Sequence, residues 1–221
     1  MGKILTVFSL RKGSGKTTLA INIAKIFANR GRTLLIDLDP IGDSSKYFGI
    51  KAKYSIDSIL NKEKDFPEVV HKCTTHNLFI IPSTPRLIKW ENFIGNLNGL
   101  SSVLEYLSGK FENIIIDTSF QKSKLLELAV KSSHKIIVPV KVEQSSIYFL
   151  NKIILTLKTY NSDFMILPTM YKDENIEIYR VIIKDYSDML IKLGSNGIKI
   201  EDGISSSFGF QQLAISQFFI S

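Results

Sequence analysis

Ser9-Leu10-Arg11-Lys12-Gly13-Ser14-Gly15-Lys16-Thr17-Thr18 is the stretch that decides the fold. An apolar run from Ile4 to Leu10 feeds into it, and an amphipathic segment from Thr17 to Asn29 leaves it. A strand, a glycine-bearing turn and a helix start, in that order, are the surroundings that a phosphate-binding loop needs. Gly13 and Gly15 lack a Cβ, so the backbone can turn its N–H groups inward and approach a phosphate closely. The new helix aims its partly positive N-terminus at the same spot. Lys16 is then placed to reach β- and γ-phosphates, and the Thr17 hydroxyl to ligate Mg²⁺. The usual Walker spacing asks for a glycine five positions before Gly15, where this chain has Leu10. The loop alone is therefore a weak match, and the strands beyond it carry the weight.

Past the first helix, Gly31 is expected to act as a C-cap, and Thr33 to Ile36 to form a second buried strand. That strand runs out into Asp37-Leu38-Asp39-Pro40, and alternation puts Asp37 and Asp39 on one side of an extended segment. Carboxylates at the C-terminal end of a strand lie where open α/β sheets bind their ligands, and they suit magnesium and water. Residues 43–73 hold many lysines and read as a peripheral, mostly solvated insertion with a short helix over Ser55–Asn61. Leu78–Ile81 is the next strand, and helical periodicity returns over Leu87–Ile94 and Leu100–Leu107. Asn113 to Asp117 is an apolar strand ending in a carboxylate, the Walker B arrangement. Ile136–Val138 and Met165–Leu167 are two more buried strands, alternating with helices over Ser145–Thr159 and Ile176–Leu193. Such alternation predicts an α/β fold in one domain: a doubly wound, mostly parallel sheet with helices on both faces.

Composition narrows the class further. A chain of 221 residues with 44% hydrophobic and 22% charged residues is that of a soluble globular domain. Cys73 is the single cysteine, which excludes an internal disulfide and fits a reducing cytoplasm. A net charge of +7 favours acidic partners such as nucleic acid or anionic lipid, without choosing between them. The start Met1-Gly2-Lys3-Ile4-Leu5-Thr6 formally matches a myristoylation signal, but its apolar run leads into the loop and reads as a central strand. No apolar run of about eighteen residues is present to span a bilayer. The segment Ser205–Ser221 carries no charge, so it reads as core or subunit contact rather than as an interfacial membrane helix.

Taken together, these stretches resemble the ParA/MinD family of deviant-Walker ATPases, and especially its ParA-type partition branch. Residues 11–18 align with that family's loop, Lys-Gly-Gly-x-Gly-Lys-Thr-Thr. Ile36 to Asp43 is similar to its Ile-Asp-x-Asp-Pro-Gln-Gly-Asn motif, and Ile114 to Asp117 to its Walker B strand. Pro139 to Glu143 is similar to Pro-Val-x-x-Glu, and Thr169 to Tyr171 to a later Thr-Met-Tyr. The resemblance implies an ATP-dependent switch. ATP and Mg²⁺ would join two copies face to face as a homodimer, which would bind DNA without sequence preference. Hydrolysis, stimulated by a centromere-binding ParB-like protein, would release it. Such a protein would be cytoplasmic, associated with the nucleoid when ATP is bound.

The resemblance also assigns residues. The nucleotide would contact Arg11, Lys12, Gly13, Ser14, Gly15, Lys16, Thr17 and Thr18, with Thr169 and Met170 near the base. Thr17, Asp37 and Asp117 match groups near magnesium, and Asp39 matches the carboxylate that positions the attacking water. DNA contacts would come from basic residues such as Arg180, Lys184, Lys192 and Lys199.

Several positions depart from the pattern. Arg11 stands where the family's lysine reaches across to the partner subunit, and either Arg11 or Lys12 could supply that cation. Lys12 replaces a glycine, which predicts a turn strained by roughly 1 kcal/mol if φ there is positive. Ile41 replaces a glutamine, and Ser119 and Phe120 a proline-rich turn. A nucleotide-binding regulatory module without hydrolysis, and a MinD-like membrane-positioning ATPase, are the alternative readings.

Overall fold

The computed structural model describes residues 2–91, 98–160, 163–170, 173–175, 177–178 and 181–182. In chain order the elements are β1 (Lys3–Val7), α1 (Lys16–Ala28), β2 (Thr33–Asp37), α2 (Asp43–Tyr47), α3 (Ile56–Leu60), α4 (Phe66–Val69), β3 (His71–Lys72) and β4 (Leu78–Ile81). They continue with α5 (Ile88–Glu91), α6 (Asn98–Ser108), β5 (Asn113–Asp117), α7 (Lys124–Lys131), β6 (Lys135–Lys141), α8 (Gln144–Thr159) and β7 (Phe164–Thr169). The sheet has seven strands in the order β3-β4-β2-β5-β1-β6-β7. Every pairing is parallel except that of the two-residue edge strand β3 with β4. This is the expected doubly wound sheet.

The strands are apolar throughout because helices cover both faces. Leu5, Val7, Leu35 and Ile115 pack with Ile23, Ala24 and Phe27 of α1 on one face. Their neighbours in sequence, Ile4, Leu34, Ile36, Ile114 and Ile116, pack with Leu104 and Leu107 of α6 on the other. Alternate residues thus go to opposite layers, as the pleat requires. A third cluster joins Ile136 and Val138 of β6 to Leu150, Ile153 and Leu157 of α8.

β1 lies inside the sheet, between β5 and β6. The crossover from β1 runs to β2 on one side and that from β5 runs to β6 on the other, so a crevice opens beyond the C-terminal ends of β1 and β5. The phosphate loop begins there. Register then places the acidic strand ends at the same level: Val7 is opposite Asp117, and Asp117 is opposite Asp37.

Several sequence expectations change. Helix α1 ends at Asn29 in an ordinary right-handed conformation, so Gly31 is not a left-handed cap. A Cβ on Gly31 would come within 2.4 Å of the Glu112 carboxylate, the movable end of that side chain, which accepts the Arg32 amide. The lysine-rich segment 43–73 is only partly peripheral: Ser44, Ser45, Ser55, Ile56, Asp57, Ser58, Val69 and Cys73 are buried. Burial also pushes the Cys73 thiol up to about 11, which keeps it protonated and unreactive. Periodicity from Leu87 resolves into a 3₁₀ turn over Pro85–Leu87 and the short α5.

Helix α7 is an addition to the elements expected from sequence. Leu125, Leu126, Ala129 and Val130 follow helical spacing, and Ser123 caps the helix by accepting the Leu126 amide at 3.1 Å. The helix expected over Ile176–Leu193 and the uncharged stretch Ser205–Ser221 lie outside the described residues, apart from 177–178 and 181–182. Arg180, Lys184, Lys192 and Lys199 lie outside them too. Among the described residues, no helix is long and apolar enough to cross a membrane.

Candidate active site

The loop after β1 is pinned to the sheet before it turns. The Phe8 amide donates to the Ile137 carbonyl at 2.9 Å, and the Thr118 hydroxyl donates to the Val7 carbonyl at 2.8 Å. Gly13 and Gly15 then take φ of 74° and 89°, the left-handed region that costs an L side chain about 1–2 kcal/mol. Lys12 does not: among the described residues only Lys62, Asn77 and Met170 are non-glycine residues with positive φ. The strain expected at Lys12 is therefore absent, because the turn places its two left-handed residues at positions 13 and 15. Gly15 is the N-cap of α1 and offers no side chain, so no side-chain cap covers the first amides of the helix. Those amides face the crevice as donors for an anion.

Lys16 is buried at the start of α1, and its Nζ donates to the Arg11 carbonyl at 3.0 Å. The loop is thereby folded over the ammonium. Phe120, which lies just past the Walker B strand, has its ring centre 6.0 Å from Nζ. Burial lowers the Lys16 pKa, and the negative charges of Asp117 and Asp39 oppose that shift. A buried ammonium held this way, at the start of a helix, suits a polyanionic ligand. Thr17 is half-buried on the next position, and Thr18 is exposed.

Asp37 and Asp117 are both fully buried on neighbouring strands. Burial raises Asp37 to about 6, against hydrogen bonds from Ser45 and Asp39. Asp117 rises to about 7, first through burial and then through repulsion by Asp37, while Ser44, Thr17 and Lys16 pull it back. Their hydrogen bonds differ. Asp37 uses both oxygens: Oδ1 accepts the Asp39 amide at 3.1 Å, and Oδ2 accepts the Ser45 amide at 2.9 Å and hydroxyl at 2.6 Å. Asp117 accepts the Ser44 hydroxyl, at 2.7 Å on Oδ2, and the Thr17 hydroxyl lies near enough to help lower its pKa, but no hydrogen bond reaches its buried Oδ1. Asp39, largely buried, accepts the Ile41 amide at 3.0 Å on Oδ1.

Sequence reasoning missed Ser44 and Ser45. Their signal was present: two hydroxyls on the helix that begins just after the Asp39-Pro40 turn.

β7 closes the site from the other side. The Thr169 hydroxyl donates to the Ser14 carbonyl at 3.0 Å. Met170 takes φ 54°, is exposed, and its Cε lies 3.7 Å from where a Cβ on Gly15 would stand. Both residues therefore do meet the loop. Arg11 turns back onto its own chain: its guanidinium donates to Ser145 at 2.9 Å and Ser146 at 2.8 Å, pairs with Glu143, and lies over the Phe149 ring. Lys12 is exposed.

These residues fit a nucleotide with Mg²⁺. The bare Oδ1 of Asp117 and the unpartnered buried hydroxyl of Ser14 are polar atoms left without partners beside the loop. Such atoms are costly in a folded protein unless a ligand serves them. Among the described residues no three Asp, Glu, His or Cys side chains converge on a metal. A magnesium ion here would take its remaining ligands from phosphate oxygens and water, as it commonly does.

Fold and site together define a phosphate-loop nucleotide-binding protein. A family profile described as an AAA domain matches residues 2–168. The sporulation initiation inhibitor protein Soj of Bacillus subtilis is 30% identical over 178 residues, covering 75% of this chain and 70% of Soj. A plasmid partition protein from Borrelia burgdorferi has the same fold, with a TM-score of 0.82 at 23% identity over 98% of this chain and 99% of that one. Cobyrinic acid a,c-diamide synthase from Mycobacterium smegmatis, solved with ADP and magnesium, shares it at a TM-score of 0.80 and 20% identity, covering 99% and 94%. On the profile and the Soj match, the chain belongs to the ParA/MinD-type partition ATPase family.

Proposed function

We propose that the protein is an ATP-dependent dimerisation switch of the partition type. It binds ATP with Mg²⁺, pairs face to face with a second copy, and in that state binds DNA without sequence preference. It hydrolyses ATP slowly until a centromere-binding ParB-like partner speeds the step. It works in the cytoplasm, on the nucleoid while ATP is bound, and not at a membrane. One observation carries this reading: the buried Lys16 ammonium feels the charge of buried Asp117, whose Oδ1 has no hydrogen-bond partner, at the strand ends where the phosphate loop and the Asp39 turn begin.

Phosphoryl transfer needs mainly positioning and charge neutralisation. The amides after Gly15 and the Lys16 ammonium would hold the β- and γ-phosphates, and Asp39, fixed by the Ile41 amide, would orient a water. Bound Mg²⁺ would add positive charge at the phosphate oxygens, with Thr17 and Asp117 as its groups on the protein and Asp37 beside them. Thr169 and Met170 would border the nucleotide where β7 meets the loop. Arg11 is engaged by Glu143, Ser145 and Ser146 of its own chain, so exposed Lys12 is the loop cation open to a partner copy.

ATP turnover with and without non-specific DNA, beside a Lys16→Ala control, tests the reading. Weak magnesium-dependent hydrolysis, abolished by the substitution, is expected. Wild type that binds ATP yet turns over no faster than the control would point instead to a regulatory module without hydrolysis, a reading that the engagement of Arg11 favours. Binding confined to anionic vesicles in co-sedimentation would bring in the membrane-positioning alternative. No retention of DNA at low salt would remove the partition role.

A further inference from the structure

Two consecutive serines of α2 form the floor of the site. Ser45 holds Asp37 through both its amide and its hydroxyl, and Ser44 holds Asp117 through its hydroxyl alone. Both serines are buried, and α2 is itself anchored: the Ser45 hydroxyl accepts the Ser83 amide, at 2.9 Å, from the loop after β4. The two carboxylates are thereby given unequal roles. Asp37 has both oxygens occupied and also receives the Asp39 amide, so it organises the turn that carries Asp39. Asp117 has one oxygen tied to α2 and the other bare.

We propose that Ser44 is a positioning residue for the metal site: by holding Oδ2 of Asp117 it fixes the carboxylate's rotation and points Oδ1 at the magnesium position beside Thr17. The inference rests on the nucleotide reading above and deepens it. A carboxylate turns easily about its last bond, and one hydrogen bond on a single oxygen is enough to choose which oxygen faces the crevice. Magnesium demands near-octahedral geometry, so a freely turning carboxylate serves it poorly. Groups that orient a metal's ligands without touching the metal carry about 10- to 100-fold of metal affinity.

The test is titration of wild type, Ser44→Ala and Ser44→Thr with a fluorescent ATP analogue, in EDTA and across a magnesium series. Ser44→Ala is expected to bind the analogue as wild type does in EDTA, yet to need about tenfold more Mg²⁺ for the metal-dependent part of binding. Ser44→Thr, which keeps the hydroxyl, should restore the wild-type requirement. An unchanged magnesium requirement in Ser44→Ala would overturn the proposal. So would a loss of equal size in EDTA and Mg²⁺, or a Ser44→Thr variant that behaves like alanine. Wild type that binds no analogue under any condition would overturn the nucleotide reading and this inference together, whereas wild type that binds with magnesium beside a normal Ser44→Ala removes only the inference.

Discussion

Asp117→Asn should make the ligand-free protein more stable at neutral pH and, on the function proposed above, weaken its hold on Mg²⁺. The wild-type carboxyl rises from 3.8 to about 7 on folding, and the first cause is burial, with the charge of Asp37 second. A folded-state pKa above the unfolded value means that the folded chain binds the proton more tightly. Its stabilising effect is complete below about 4 and is lost as pH climbs through about 7. A rise of that size corresponds to about 4 kcal/mol. Removing the charge removes both causes, and the opposing pull of Lys16 is already contained in the value of about 7. The buried asparagine amide itself gives up water, which offsets about half of the gain. A gain of about 2 kcal/mol at pH 8 is therefore expected. Asparagine keeps the shape and can still accept from Ser44. Urea unfolding of both proteins at pH 4.5, 6 and 8 in EDTA gives the difference directly, since groups common to both cancel. The gap should be smallest at pH 4.5, where about 1 kcal/mol of it has already opened, and widest at pH 8. A variant less stable than wild type at pH 8, or a gap that does not grow with pH, would refute the reasoning.

Three further outcomes are open to measurement. Gly15→Ala forces a side chain into φ 89° and should cost about 1–2 kcal/mol in denaturant unfolding, through the backbone alone, since Met170 at 3.7 Å is in ordinary contact with the new Cβ. Ser123→Ala removes the cap of α7 and should cost about 1 kcal/mol without affecting nucleotide binding. Arg11→Ala breaks three polar contacts with Glu143, Ser145 and Ser146, so hydrogen exchange at the start of α8 should quicken and stability fall by about 1–2 kcal/mol.

The apolar strands and the loop are legible in the sequence because their signals are local. Asn113 to Asp117 and Leu78 to Ile81 are near-continuous apolar runs that form strands at those bounds, while the run from Ile4 to Leu10 forms one over Lys3–Val7, ending three residues earlier where the loop begins. The glycines at 13 and 15 mark the turn by chemistry that needs no distant partner. What is not legible depends on register and on distant partners. Ser44 meets Asp117 across 73 residues, and Arg11 meets Ser146 across 135, so no window of sequence contains either pair. The strain expected at Lys12 comes from aligning a motif residue by residue, whereas the backbone puts its left-handed residues one and three places later. The position of Gly31 after a helix suggests a cap, while its backbone is not left-handed and its amide simply donates back to the Phe27 carbonyl.

The site arises from the same burial that makes the core. β5 is covered on both faces, so its alignment against β1 and β2 is set by which isoleucines enter which layer. A slip of one residue would exchange the layers, and with them every apolar contact. The alignment that satisfies Ile114, Ile115 and Ile116 also puts Val7, Asp117 and Asp37 at one level. Two carboxylates there are a burden on the apo fold, and Ser44, Ser45 and the Asp39 amide offset only part of it, as the raised pKa values indicate. An arrangement that the core forces together but leaves under-neutralised is one that a bound cation and its phosphates complete. The likeness in fold to a cobyrinic acid a,c-diamide synthase shows that the scaffold alone does not choose the reaction. On the function proposed above, the choice would lie in the residues that leave the strand ends, in this chain Arg11, Lys12, Asp39, Ser44 and Phe120.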